Sequence, residues 1–308
     1  MKKRFFSVVI PLYNKEHSVK RAVMSVLSQT YTYFELIIVD DGSTDCSAEI
    51  VSRFNDPRLR LIRQDNRGPS AARNAGCRKA EADYVCFLDA DDKWDLSFLS
   101  TMCSLIDVAP LASLYSVKYR VADELGDIFH HRLNFPKDYL GYVENFYRSY
   151  KKRGLINSSS VCIRSKSLHE IGGFPEQARL GEDIYTWLRL ADINRVAYAN
   201  VERVTIYRNA ENRSGVGARQ EIPYHIKAVL GGGAKEFSKE NQNTVTNFVA
   251  KNAILHAAGA VLNGDRRTAF LITRMLLRVS LRYSSQVLCV VIMPRILLRM
   301  IKSLRKSL

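Results

Sequence analysis

The chain has 308 residues, 46% hydrophobic and 25% charged, a balance that excludes bulk disorder and suits one large domain with an appendage. Its formal net charge of +15 is uneven: Asp265 to Leu308 carries ten Lys or Arg against one acid. The basic character is therefore mainly a property of the C-terminal end. Six scattered cysteines form no C-x-x-C and no zinc-type spacing with histidine, which fits reduced thiols in a cytosolic protein.

The opening M-K-K-R-F-F-S-V-V-I-P-L-Y-N has a short apolar run interrupted by Pro11, and reads as a first strand over Phe5–Leu12 rather than a leader. Val19, Ala22, Val23, Val26 and Leu27 then follow helical spacing. Phe34–Val39 is a second strand ending in D-D-G-S-T-D, where Ser43 and Thr44 are candidate N-caps for a helix. Arg58–Arg63 alternates as a third strand, and Pro69 suits the first turn of a helix running to about Ala80. Tyr84–Leu88 is a fourth strand, followed by a helix near Leu96–Val108. Further on, Ser113–Val121, Ser159–Ile163 and Arg195–Tyr207 look extended. Asp183–Ala191 reads as a short helix with Trp187 and Leu188 inward, and the pattern is helical from about Arg219. No stretch reaches the roughly 18 apolar residues of a spanning helix.

The alternating order of strands and helices implies an α/β fold with a doubly wound, mostly parallel central sheet. Ligands bind beyond the carboxyl ends of the strands in such sheets. Polar residues collect at three of those ends: Tyr13-Asn14, Asp40-Asp41 and Asp89-Ala90-Asp91-Asp92. Three carboxylates so close together repel one another and call for a positive partner. Hard oxygen donors on a tight turn suit Mg²⁺ or Mn²⁺, which takes one or two carboxylates and completes its shell with water and phosphate oxygens. Solvated caps after a strand are the plainer alternative, with Asp92 before K-W-D-L as one such cap.

The sequence resembles the family 2 glycosyltransferases, which have the GT-A nucleotide-sugar fold. The resemblance rests on S-V-V-I-P-L-Y-N (7–14), L-S-Q-T-Y (27–31), F-E-L-I-I-V-D-D-G-S-T-D (34–45), N-R-G-P-S-A-A-R-N-A-G (66–76), F-L-D-A-D-D (87–92), I-G-G-F (171–174) and G-E-D (181–183). It implies an inverting, metal-dependent transfer of a sugar from a nucleoside diphosphate, with UDP as the expected nucleotide. Pro11, Tyr13 and Asp40 are then expected to hold the base, Tyr13 by stacking and Asp40 by accepting the base N–H. Arg73 would reach the base or diphosphate unless it is a surface arginine, and Asp89 would contact the ribose or support the metal turn. Asp91 is the expected ligand of Mn²⁺ or Mg²⁺. Asp183 is the expected base, with Glu182 supporting it or binding acceptor; two acids at a helix start are the ordinary alternative. Asp41 reads as a turn residue, Gly172-Gly173-Phe174 as a turn beside the donor sugar, and Asn157–Ser160 as an ordinary entry to a strand. The family's Tyr-Arg-x-His is replaced by Tyr207-Arg208-Asn209-Ala210, and Arg213 and Ser214 are candidates to close over the diphosphate.

At the C-terminal end, Arg267, Arg274, Arg278 and Arg282 fall largely on one helical face and Leu271, Met275, Leu276 and Val279 elsewhere. Arg295, Arg299 and Lys302 repeat the pattern beside Ile296, Leu297, Met300 and Ile301. Basic amphipathic helices of this kind lie in a membrane interface; a helical hairpin packed on the enzyme or on a second subunit is the alternative. The expectation is a catalytic domain over 1–215 and a helical region over 216–308. The enzyme would be cytoplasmic and peripheral on the inner face of the cell membrane, acting on a glycan or lipid-linked acceptor and binding no nucleic acid. A non-catalytic nucleotide-sugar binder or membrane adaptor with the same fold is the rival.

Overall fold

The computed structural model describes residues 3–123, 125–131, 133–150, 155–208 and 221–292. Contacts gather the chain into two units, Met1–Gln177 with Thr186–Arg213 and Ala178–Tyr185 with Ser214–Leu308.

The first unit is built on one sheet. Its strands are β1 (Phe6–Leu12), β2 (Phe34–Asp40), β3 (Leu59–Arg63), β4 (Tyr84–Phe87), β5 (Lys93–Trp94), β6 (Ala112–Ala122), β7 (Ile128–His130), β8 (Leu140–Tyr142), β9 (Val161–Arg164) and β10 (Arg195–Tyr207). They run in the order β3-β2-β1-β4-β9-β6-β10-β5, with β7 on β6 and β8 on β10. The first four pair in parallel, as do β6 and β10, while β9 is antiparallel to both its neighbours.

Helices cover both faces, which is why β1 and β2 are nearly continuous apolar runs. Val8, Ile10, Leu36 and Ile38 pack in one buried cluster with Val19, Val23 and Val26 of the helix Val19–Leu27. On the opposite face Val9 meets Gly76 of the helix Pro69–Lys79. A Cβ at Gly76 would stand 2.4 Å from Val9 Cγ1, so only glycine lets helix and strand approach this closely.

Three local expectations are corrected. The helix after β2 begins at Ser47, because Asp45 Oδ1 accepts the Ser47 N–H, while Ser43 and Thr44 bond to Asn14 instead of capping. Residues 158–160 form a 3₁₀ turn before β9, closed by a reciprocal cap between Asn157 and Ser160. Asp92 caps no helix: Lys93-Trp94 form β5 against β10, and the next helix starts at Phe98.

The second unit brings residues 178–185 together with the helices Tyr224–Leu230, Gln242–Leu262, Arg266–Leu277 and Leu281–Ile292. Ile226, Val249, Ala253, Ala257, Ile272, Leu276 and Val287 are among its buried side chains. Asp265 caps the third of these helices through the Thr268 N–H at 3.0 Å. The expected separation of arginines from apolar residues is only partly met. Leu276 is buried, but Leu271 and Val279 are exposed together with Arg267, Arg274 and Arg278. Packing against the neighbouring helices uses the Ala269, Ile272 and Leu276 stripe, which leaves Leu271 outside it. No helix of the described residues is long and apolar enough to cross a membrane. Arg295, Arg299 and Lys302, with their apolar companions, lie outside the described residues.

Candidate active site

Parallel pairing of β1, β2 and β4 sets their carboxyl ends on one edge of the sheet. Register fixes the alignment: Leu12 lies opposite Asp40, and Val9 opposite Phe87. Three of the sequence clusters therefore meet at one rim of the first unit.

The first two clusters are stitched together. Asn14 adopts a left-handed φ of 49°, and its Oδ1 accepts the Thr44 N–H at 2.7 Å. Its own N–H donates to Ser43 Oγ, and Lys15 N–H donates to Ser47 Oγ at 2.7 Å. Asp40 is buried, and its Oδ1 accepts the Ser43 N–H at 3.0 Å. Tyr13 is 41% exposed just beyond β1, so its ring is open to a planar partner, while Pro11 is half-buried within the strand. Asp41 is a turn residue, as expected, because its carboxylate accepts from Gln64 Nε2 and from the N–H groups of Arg67 and Gly68.

The third cluster separates into three different environments. Asp91 Oδ2 lies 2.7 Å from Lys15 Nζ, and both side chains are mostly buried. Arg21 donates to the Asp91 carbonyl at 2.6 Å while its guanidinium stacks over the Tyr207 ring at 3.8 Å. Asp89 Oδ1 accepts from Arg73 Nη2 at 2.8 Å. Arg73 is only 5% exposed, so it is no surface arginine. Asp92 is fully enclosed: Ser159 Oγ donates to its Oδ2 at 2.5 Å and the Tyr207 N–H to its Oδ1 at 3.1 Å. Burial, with Asp91 and Asp89 nearby, pushes the Asp92 carboxyl well above the usual range. Ser159 Oγ also accepts the Asp89 N–H, which gives the serines of 158–160 a supporting role that sequence alone left ordinary.

The positive groups that answer these carboxylates are thus Lys15 and Arg73. Lys15 was missed because lysine after a strand end is usually a solvated residue. Its position one residue past the Tyr13-Asn14 cluster was the available signal. Among the described residues, no group of three His, Cys, Asp or Glu side chains is arranged to hold a metal ion by itself. Asp91 is the carboxylate of this turn that could hold a divalent ion together with phosphate and water oxygens, and its Oδ2 is paired with Lys15.

Gly172 and Gly173 have positive φ, 82° and 78°, and shape the expected turn. Asn74 fastens it from the helix Pro69–Lys79, donating to the Phe174 carbonyl at 2.8 Å and accepting the Phe174 N–H at 2.9 Å. Phe174 packs edge-on against Phe87 and Trp187, below Arg73.

Glu182 and Asp183 open the helix Glu182–Ile193, where acids suit the positive end of the helix dipole. Asp183 Oδ1 accepts the Ile184 N–H at 2.7 Å, and Glu182 is buried. By contact both belong to the second unit. Arg213 and Ser214, and the Asn209-Ala210 departure, lie outside the described residues.

Comparison with known proteins agrees on the fold. The complex of S. aureus TarS 1–349 with UDP-GlcNAc superposes with a TM-score of 0.71 at 18% identity, covering 91% of this chain and 83% of that one. It carries the GT-A fold, the architecture expected from the sequence. Streptococcus pneumoniae glycosyltransferase GlyA is 30% identical over 66% of this chain and 29% of its own length. Bacillus subtilis TuaG, a putative teichuronic acid biosynthesis glycosyltransferase, is 29% identical over 68% of this chain and 81% of its own. The match spans only about a third of the length of several curated relatives, GlyA among them. The sequence model of Glycosyl transferase family 2 matches residues 7–171, more than half of the chain, and the chain belongs to that family.

Proposed function

We propose that this chain transfers a sugar, with inversion, from a UDP-sugar to a hydroxyl of a surface polysaccharide or its lipid-linked precursor. The observation that carries this reading is the rim of the first unit, where Tyr13, Asp40, Arg73, Asp89, Asp91 and Lys15 come from three strand ends and the helix Pro69–Lys79. An exposed ring, a buried carboxylate and two cations are the groups that a uracil, a ribose and a diphosphate need.

Relatives support the substrate class. TarS has been solved with UDP-GlcNAc and with UDP. Escherichia coli WfgD, 36% identical over 32% of this chain and 40% of its own length, is a UDP-Glc:alpha-D-GlcNAc-diphosphoundecaprenol beta-1,3-glucosyltransferase.

On this reading Asp183 takes the proton from the acceptor hydroxyl as its oxygen bonds to the anomeric carbon, and the bond from that carbon to UDP breaks. Glu182 supports the base. Arg73 and Lys15 offset negative charge at the diphosphate end, and Asp40 orients the base. A Mn²⁺ or Mg²⁺ ion held by Asp91 would add Lewis-acid stabilisation of the departing UDP.

The second unit supports a membrane-bound acceptor. The outward face of the helix Arg266–Leu277 interleaves Phe270, Leu271 and Leu277, 55%, 40% and 51% exposed, with Arg267 and Arg274, and Arg278 follows on the same side. Leu281 and Arg282 begin the next helix, both exposed. None of these arginines makes an ion pair among the described residues. Apolar side chains flanked by exposed cations match an anionic bilayer surface, cytoplasmic in the proposed enzyme. Incubation with a panel of UDP-sugars, Mn²⁺ and a polyprenyl-diphosphate-linked sugar tests the function. Acceptor-dependent release of UDP is expected, and binding of UDP-sugar without release would instead mark a non-catalytic binder.

A further inference from the structure

The segment that carries Glu182 and Asp183 is fastened by residues 223–237. The Leu180 carbonyl accepts the Tyr224 N–H at 2.7 Å. Gly181 takes a φ of +75°, and a Cβ on it would lie 2.6 Å from His225 Nδ1 and 2.9 Å from Pro223 Cβ. Only glycine fits there, with the buried His225 imidazole directly against it. One turn along the same helix, the Tyr185 hydroxyl donates to Glu236 Oε2 at 2.5 Å. The Tyr185 ring stands edge-on to Tyr224 and Phe237, at 5.1 and 6.1 Å between centroids. Tyr185 is 8% exposed and Phe237 3%.

These contacts bracket Asp183 on both sides, two residues before it and two after. The Asp183 carboxylate is itself folded onto the helix start, through the Ile184 N–H. Its aim therefore follows the first helical turn, and that turn follows the C-terminal helices. An anchoring appendage would need no such grip on a six-residue piece of the catalytic sequence.

We propose that Tyr185 and Glu236 are a positioning pair for the transfer step, through which the C-terminal unit sets the orientation of Asp183. The inference rests on the assignment of Asp183 as the base. It gives the C-terminal unit a second role besides membrane contact, carried by residues 223–237.

Tyr185→Phe removes the hydroxyl and keeps the ring contacts, so folding should survive. Misplacing a reacting group by a fraction of an ångström slows chemistry without touching substrate binding at a distance. The kcat for transfer should fall about tenfold, while UDP affinity by calorimetry stays within about twofold. Glu236→Leu should cost as much, the double variant no more than either single one, and Glu236→Gln, which keeps an acceptor oxygen, should restore the rate. Wild-type turnover in Tyr185→Phe would overturn the pair, and so would a loss of UDP affinity in step with kcat, the mark of a merely structural role. The failures are distinguishable. If Asp183→Asn is inactive while Tyr185→Phe is fully active, only the positioning role falls. If Asp183→Asn is itself fully active, the base assignment falls and takes this inference with it.

Discussion

Lys15 Nζ and Asp91 Oδ2 form a 2.7 Å ion pair between the end of one strand and the turn after another, with side chains only 11% and 16% exposed. A lysine on that carboxylate competes with any divalent ion for the same oxygen. Lys15→Met should therefore raise the Mn²⁺ affinity measured with UDP present by about tenfold, a change of about 1.4 kcal/mol. Asp91→Asn should abolish that binding. Titration by manganese electron resonance reads both, and weaker Mn²⁺ binding in Lys15→Met would remove the competition.

Asp92 should behave unlike Asp91. Its carboxyl is buried and pushed well above the ordinary range by that burial and by Asp91 and Asp89, against the opposing hydrogen bonds from Ser159 and the Tyr207 N–H. Asp92→Asn preserves shape and an acceptor and should cost less than about 1 kcal/mol. Asp92→Ala leaves the Tyr207 N–H and the Ser159 hydroxyl unpaired and should cost about 2–4 kcal/mol in urea unfolding. Equal losses in the two variants would contradict a structural role for the hydrogen bonds that Asp92 accepts.

Much of the fold was legible in sequence because the signals were periodic or local. Strands β1, β2 and β4 are buried on both faces and read as apolar runs, β3 reads by its alternation, and Arg195–Tyr207 matches β10. What escaped depends on distant partners. Ser159 reaches the D-A-D-D turn across 67 positions of chain, and Lys15 reaches it across 76. The two-residue β5 exists because β10 pairs with it, which no local propensity reveals. The grip of Tyr224, His225 and Glu236 on residues 180–185 is likewise invisible to spacing.

The second unit should lose stability in acid. Burial pushes the His225 imidazole down to about 4 from its usual 6.5, against the opposing pull of the Gly181 backbone and with His256 nearby. The folded form therefore binds a proton less readily than the unfolded chain between those values. The contribution is fully present above pH 6.5 and is lost as pH falls towards 4, about 3 kcal/mol in all. His256, also lowered by burial though partly offset by Asp265, acts in the same direction. His225→Gln should flatten the dependence of unfolding free energy on pH over this window. An unchanged slope would show that His225 is not its source.

Membrane contact should depend on arginines and on apolar side chains together. Arg267, Arg274 and Arg278 changed jointly to Gln should weaken binding to phosphatidylserine vesicles about a hundredfold, at about 1 kcal/mol for each cation. Phe270→Asp should weaken it as well, and neutral phosphatidylcholine vesicles should bind poorly in every case. Vesicle co-sedimentation checks this. Retention of the triple variant on anionic vesicles would contradict a membrane role for this face.

The most direct measurement is Asp183→Asn, followed by calorimetry with UDP and by turnover with the identified UDP-sugar and acceptor. UDP affinity should stay within about twofold of the wild type, while acceptor-dependent turnover falls at least about a hundredfold. Full turnover in Asp183→Asn would contradict sugar transfer with this carboxylate as the base.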